Sequence, residues 1–252
     1  MAFALSVQKL KEAMGKPGCP VCRLSRQAAA HTVEMLLWEN VTDIEVRKGI
    51  LASYGFCPEH ARLFVASELS NSGHTLGVNI IYEQLARRTA DELQGLEREE
   101  KLAGGLRRFL QKLGGDVPTS GRPLAPKGVC PICQTVQQSA VNALITLFEE
   151  LERATADIRD GYATSDGLCL AHLRLGLEQV AADYPTASEQ VLEDAANRLQ
   201  RQARLMQEYI RKNNWEYKDE KLTREENDAW RKTVAFFTGI PGNAFTHKKE
   251  EL

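Results

Sequence analysis

The sequence predicts an all-α protein made of two pseudo-repeated helical halves, each stapled by a Cys3His metal site, with an aromatic helical extension at the C-terminal end. Three observations predict it. Apolar residues step by three or four positions over nearly the whole chain, and the alternating Val, Ile and Thr of strands is absent. Six cysteines and two histidines fall in a pattern that occurs twice. A Gly- and Pro-rich stretch, 114–129, separates the two occurrences. At 252 residues the chain is long enough for one large domain or two small ones.

The elements run in order along the chain. A short lead helix is expected near 5–14, then Cys19-Pro20-Val21-Cys22, a helix near 20–40 and another near 43–53. After Gly55-Phe56-Cys57 a helix starts at Pro58, where proline suits the first helical position. Val78, Ile81, Tyr82, Leu85, Thr89, Leu93 and Leu96 make one face of a long helix near 75–100. Leu106–Leu113 reads as a short basic amphipathic helix packed through Leu106, Phe109, Leu110 and Leu113, in preference to a membrane-surface helix. Residues 114–129 read as a linker. The second copy repeats the plan from Cys130 to about 212. Val136, Ala140, Leu144, Leu147, Phe148 and Leu151 mark one helix face there, and Val191, Leu192, Ala195, Leu199, Ala203, Met206 and Ile210 another. Pro185 precedes Thr186 and Ser188, which suit a helix start. The tail, 213–252, has no counterpart in the first copy; Trp215, Tyr217, Trp230, Phe236 and Phe237 suggest a segment that docks on the body. Thr246 to Leu252 read as a frayed, charged end. The expected division is therefore 1–113, 114–129, 130–212 and 213–252.

The chemistry sits in the repeated motifs. Cys19 and Cys22 are followed by Cys57 and His60; Cys130 and Cys133 are followed by Cys169 and His172. Gly55 and Gly167 each stand two residues before the lone cysteine, and Leu37-Trp38-Glu39 and Leu147-Phe148-Glu149 lie midway. C-x2-C with C-x2-H offers four soft ligands, and Cys3His is a recognised tetrahedral zinc set. Exposed N–H groups at a helix start favour thiolate charge. The expectation is two Zn2+ per chain, one held by Cys19, Cys22, Cys57 and His60, the other by Cys130, Cys133, Cys169 and His172. Each ion would then close a helical hairpin within its own copy. Disulfides fit poorly, because an odd three cysteines per copy cannot pair within it and the histidines go unexplained. Six buried free cysteines leave the duplicated spacing unexplained. Iron–sulfur clusters use cysteine ligands too and remain the alternative cofactor.

Composition narrows the function. The 32 Lys+Arg nearly balance the 34 Asp+Glu, so the chain does not advertise a nucleic-acid or anionic-membrane binder. Mean hydropathy is −0.35, and no apolar run approaches the roughly 20 residues of a membrane-spanning helix. The opening MAFALS lacks a basic leader and a cleavage site, which points to a cytoplasmic protein.

A closed set of four protein ligands leaves no position for water or substrate, which argues for structural metal and against an enzyme. Glu59 lies beside the ligands as an acid does in zinc deaminases, but the order of that signature is absent and Ala171 takes its place in the second copy. His31 reads as a core residue; His74 follows Ser72-Gly73; neither it, His31 nor His247 joins a catalytic arrangement. No phosphate-cradling glycine motif occurs. The leading reading is a non-enzymatic metal-binding adaptor. Its groove between halves, lined by Trp38, Phe148 and tail aromatics, would take an unknown protein partner or small-molecule ligand. The alternative is a redox or electron-transfer protein with Cys3His-ligated iron–sulfur clusters. A third reading binds nucleic acid through Arg198, Arg201, Arg204, Arg211 and Lys212, although Glu193, Asp194 and Glu208 interleave with them. Homo-oligomerisation is compatible with all three.

Cys19-Pro20-Val21-Cys22-Arg23-Leu24, Gly55-Phe56-Cys57-Pro58-Glu59-His60, Leu76-Gly77-Val78-Asn79-Ile80-Ile81-Tyr82-Glu83 and the tail from Arg211 to Gly239, with Asn227-Asp228-Ala229-Trp230, carry a resemblance. Across nearly the whole chain the sequence resembles a family of uncharacterised prokaryotic proteins with duplicated C-P-x-C and G-[FL]-C-x-x-H motifs. The resemblance implies an all-helical, metal-binding protein and no activity. The second copy departs from the pattern, with Leu170-Ala171 where the first has Pro58-Glu59, which predicts a less rigid second site.

Overall fold

The computed structural model describes residues 4–111, 124–217 and 219–245, with backbone alone over 99–111. Among the described residues there are ten α-helices and no strand. They are α1 (Ala4–Met14), α2 (Pro20–Met35), α3 (Ile44–Ala52), α4 (Pro58–Ser72), α5 (Leu76–Gln111), α6 (Pro131–Glu152), α7 (Ala156–Thr164), α8 (Leu170–Gln179), α9 (Pro185–Lys212) and α10 (Arg224–Thr238).

Local chemistry places the ends. Proline opens α2, α4, α6 and α9, where its missing N–H is no loss. Asp43 caps α3 by accepting the Val46 N–H at 2.8 Å. Thr223 and Glu226 form a reciprocal capping box on α10, and Gly239 closes that helix in the left-handed region. Two boundaries differ from the sequence expectation. A π-helical turn, Leu36–Asn40, succeeds α2. α5 runs on as one helix through Gln111, with no break before 106. Lys112, Leu113, the linker as far as 123, Thr246–Leu252 and His247 lie outside the described residues, as do the side chains that would pack Leu106–Gln111.

The chain divides into two compact units: residues 1–28 with 136–252, and residues 29–135. The boundaries fall inside α2 and α6, so the units do not match the sequence copies. Unit 1 holds a large apolar cluster, with Leu10 and Met14 from α1, Leu144, Leu147 and Phe148 from α6, Ile158 and Tyr162 from α7, and Val191 from α9. Lys11 pairs with Asp157 at 2.7 Å between α1 and α7, and α10 packs along α9. In unit 2, Val33, Ile50, Phe64, Ile81 and Leu85 are buried, and Phe56 stacks at 5.1 Å on Phe64. The buried Glu68 carboxylate caps α5, accepting from Gly77 N–H at 2.5 Å and Val78 N–H at 2.8 Å. A carboxylate there satisfies two orphan donors and meets the positive end of the helix dipole.

Two side-chain expectations are corrected. His31 is exposed on α2 rather than in the core. Phe148 is fully buried in the unit 1 cluster and lines no groove, whereas Trp38 is 78% exposed. The physical reason is the π turn. An inserted residue rotates the rest of the helix by about 100° about its axis. Trp38 sits within that turn and points outward, while α6 stays α-helical through Glu152 and keeps Phe148 on the core face.

Candidate metal centres

The eight ligand candidates form two clusters, but with exchanged halves. Cys19 and Cys22 meet Cys169 and His172 in unit 1; Cys57 and His60 meet Cys130 and Cys133 in unit 2. The expected pairing within each copy, Cys19 and Cys22 with Cys57 and His60, and Cys130 and Cys133 with Cys169 and His172, is therefore corrected. Motif spacing defines which residues chelate as a pair. It carries no information about which pair faces which.

Each site is two helix N-termini brought together. Cys19, Cys57, Cys130 and Cys169 immediately precede the first residues of α2, α4, α6 and α8. Cys22, His60, Cys133 and His172 are the third residues of those helices. The residue before a helix and its third residue lie side by side, which is why capping boxes use the same spacing. Here that spacing carries ligands. The backbone is alike at the two C-x2-H starts: φ −64° and ψ 162° at Cys57, φ −75° and ψ 163° at Cys169. Leu170 thus opens its helix at the same offset as Pro58. Two helix N-termini direct unpaired N–H groups and positive partial charge at each cluster.

The donor atoms are in contact. In unit 1, His172 Nδ1 lies 3.6 Å from Cys19 Sγ, 3.2 Å from Cys22 Sγ and 3.2 Å from Cys169 Sγ, and Cys22 Sγ lies 3.5 Å from Cys169 Sγ. In unit 2, His60 Nδ1 lies 3.2 Å from Cys57 Sγ, 3.7 Å from Cys130 Sγ and 3.3 Å from Cys133 Sγ, and Cys133 Sγ lies 3.6 Å from Cys57 Sγ. All four ligand atoms of each cluster fall within 4.8 Å of one another, and two residues of each cluster are buried. A tetrahedron with arms of about 2.3 Å to sulfur has edges of about 3.8 Å, slightly shorter to nitrogen. The chemistry and spacing of the donors fit one metal ion per cluster.

The donors also compete for protons. Hydrogen bonds from Cys19 and then Cys22 draw Cys169 far below the usual thiol value. Cys22 is pushed far up, first by its hydrogen bond to Cys169, then by Cys19 and burial. Burial acts to lower His172, but hydrogen bonds to Cys169 and Cys19 outweigh it, and the imidazole rises to about 9. In unit 2 burial, then the hydrogen bond to Cys57, pushes Cys133 up to about 12. Burial opposes ionisation of Cys57, yet the His60 N–H and the thiols of Cys133 and Cys130 bring it down overall. In both sites the lone cysteine before the histidine is drawn down and the second cysteine of C-P-x-C is pushed up.

Neighbouring backbone closes each site. Lys127 and Gly128 N–H both donate to the Ala52 carbonyl, at 2.8 and 3.1 Å, which hangs the segment before Cys130 from the end of α3. In unit 1, Gly18 N–H donates to Asp166 at 2.7 Å, setting the approach to Cys19. Sequence reasoning missed Gly239. Its φ is +71°, and a Cβ there would stand 3.0 Å from Cys22 Sγ and 3.6 Å from Cys169 Sγ. The signal was its place after the α10 pattern, but nothing in the sequence pointed that turn at the thiols.

The cations of the nucleic-acid reading are mostly engaged. Arg198 pairs with Asp194 at 2.6 Å and Arg201 with Glu225 at 2.8 Å. Arg211 pairs with Glu208 and Glu220 at 2.9 and 2.6 Å, and Lys212 with Glu226 at 2.8 Å. Among the described residues no helix is long and apolar enough to cross a membrane.

The chain belongs to a family of unknown function, DUF6062, whose pattern matches residues 3–243. No curated protein and no solved structure matches it.

Proposed function

We propose that this chain is a non-enzymatic helical metalloprotein that holds two structural Zn2+ ions, one in each compact unit, and serves as a ligand- or partner-binding module in the reducing cytoplasm. The supporting observation is the pair of Cys3His clusters, each with four donor atoms within 4.8 Å of one another at two helix starts. Four protein ligands complete a tetrahedral shell, which leaves zinc no open position for a reacting water. The spacing favours a single ion over an iron–sulfur cluster. Cluster ligands are divided among two or four irons, so all four do not converge within the shell of one ion. Three thiols per site without a disulfide, Cys19, Cys22 and Cys169 among them, suit a reducing compartment.

The two sequence copies read as a duplicated half whose C-P-x-C arm is exchanged. Each ion joins chain from the first copy to chain from the second, so metal closes a long loop between the copies rather than one hairpin. Elemental analysis of protein purified without oxygen tests the reading: about two zinc per chain and no visible absorption are expected. Well under one metal per chain overturns it, and a brown, iron-containing protein replaces it with the redox alternative.

A further inference from the structure

We propose that unit 1 binds a small organic anion with an apolar body in a cavity walled by α7, α9 and α10 and bordered by Cys19 and Cys169 of the metal site. The inference rests on the preceding one in taking unit 1 as a folded module with a metal at its Cys3His cluster, which sets only the ligand's orientation, and it names what that module receives.

The cavity measures about 550 Å3, within the size range of small-molecule sites. Cys19 and Cys169 stand at its edge, and Leu168, Leu199 and Phe236 supply apolar wall. Its charge is uneven. Five cations line it, Arg198, Arg201, Arg224, Arg231 and Lys232, against three acids, Asp166, Asp194 and Asp228. Arg198 is committed to structure, donating to the Tyr162 and Ala163 carbonyls at 3.0 Å as well as to Asp194. The surplus lies on α10. There Arg231 and Arg224 share the single carboxylate of Asp228, with Arg224 no nearer than 3.8 Å, and Lys232 has no ion pair among the described residues.

Two wall groups also lack hydrogen-bond partners: the Arg231 Nε and the Gln202 Oε1, both buried from solvent. Orphaned buried polar atoms are destabilising; the Arg231 Nε–H is a donor that an anion satisfies, whereas the Gln202 Oε1 is an acceptor that calls for a donor elsewhere on the ligand.

Geometry separates the ends. The last turn of α10 leads to Gly239, which abuts Cys22. Arg231 precedes Gly239 by eight positions, roughly 12 Å up the helix axis at about 1.5 Å per residue. A Zn2+ with three thiolates carries a net negative charge, so an anion is repelled at the metal end and attracted at the Arg231 end. The apolar body then lies toward Leu168 and Phe236. Guanidinium pairs suit a carboxylate, sulfonate or phosphate group, which they grip through two parallel hydrogen bonds.

Fluorescence titration of the full metal-loaded chain tests this with two probes of one shape. Anilinonaphthalene sulfonate has the aromatic body and one negative charge; phenylnaphthylamine has the body and none. The sulfonate is expected to bind one per chain, at least about tenfold tighter than the uncharged probe. Arg231→Gln with Lys232→Gln should weaken the sulfonate about tenfold and leave the uncharged probe unchanged. Ala235→Trp, which fills the cavity without altering charge, should abolish both. Melting curves of each variant establish that it folds. Equal affinity for the two probes, or sulfonate binding that survives both variants, overturns the proposal. Metal content read on the same samples keeps the inferences apart: charge-dependent binding by a chain with iron or no metal sinks the zinc reading alone, whereas two zinc and no charge dependence sinks this one alone.

Discussion

The two metal centres have the same donors at the same helix positions, yet they are embedded differently. Site 1 is continuous with a hydrophobic core. Cys19 and Cys169 belong to the buried cluster that includes Leu10, Leu144 and Ile158, and Cys22 packs against it. Site 2 lies outside that cluster. Cys130 and His60 are buried, but the segment before Cys130 is held by two hydrogen bonds to the Ala52 carbonyl, and the buried apolar residues around it are fewer among those described. An ion contributes most where little else holds its ligands together. Structural zinc in small peptides contributes roughly 10–16 kcal/mol of apparent binding free energy, comparable with the roughly 5–15 kcal/mol that stabilises a whole domain.

The sharpest way to break the comparison is to remove one ligand from each site. Cys133→Ala should unfold unit 2, with hydrogen-exchange protection lost over α3, α4 and the start of α5 and retained over α6 to α9. Cys22→Ala should leave α6 to α9 helical, because apolar burial persists there, and lower the melting temperature instead. Equal loss of protection in the two variants would show that the core around site 1 offers no reserve.

A smaller effect is expected from Glu68→Ala. The buried carboxylate accepts both N–H groups at the start of α5, and charge-assisted bonds of this kind contribute about 1.5–3 kcal/mol each. Loss of both should destabilise unit 2 by about 3 kcal/mol and leave unit 1 unchanged, as read by exchange protection on α3 and α9.

Much of this architecture was legible because local chemistry decided it. The helical period and the prolines at α2, α4, α6 and α9 place the helix starts within a few residues, although α5 runs on to Gln111. The eight donor residues were legible because C-x2-C and C-x2-H are spacings a helix start enforces. What was hidden depends on long-range packing. Nothing local told Cys19 to face Cys169 rather than Cys57, since both partners carry the same helix-start geometry. Trp38 and Phe148 occupy matching places in the two motifs, but a π turn at Leu36–Asn40 separates their fates. The cavity was equally hidden, because Arg198 of α9 and Arg231 of α10 line it from positions far apart in the chain.

Gly239→Ala bears on site 1 alone. The added methyl must sit 3.0 Å from Cys22 Sγ, at a φ of +71° that L-residues rarely adopt. Together these cost about 1–3 kcal/mol. The expected outcome is zinc loss from one site at about tenfold lower chelator concentration, with the other release step unmoved. A single unshifted release of both ions would show that the α10 turn does not constrain the thiols.

The smallest effect probes the brace that α10 provides to unit 1. Thr223→Ala removes one half of the capping box and should cost about 1 kcal/mol. The other half is pH-sensitive. The Lys212 ammonium, then the Thr223 N–H, holds the Glu226 carboxyl below its ordinary value of 4.5. The ionised form is therefore the one the folded state favours. Its stabilisation is fully present above the unfolded value and disappears as pH falls through the lower folded value. Lys212 Nζ lies 2.8 Å from Glu226, so protonation releases the link between the end of α9 and the start of α10. Trp230 reports the docking of α10, and Trp38→Phe with Trp215→Phe isolates its fluorescence. In that background, acid should shift the Trp230 signal, and Glu226→Gln should remove the part of the transition that precedes zinc release. Identical acid profiles for the two proteins would assign the whole transition to the thiolates of site 1 and leave the α9–α10 brace without a share in it.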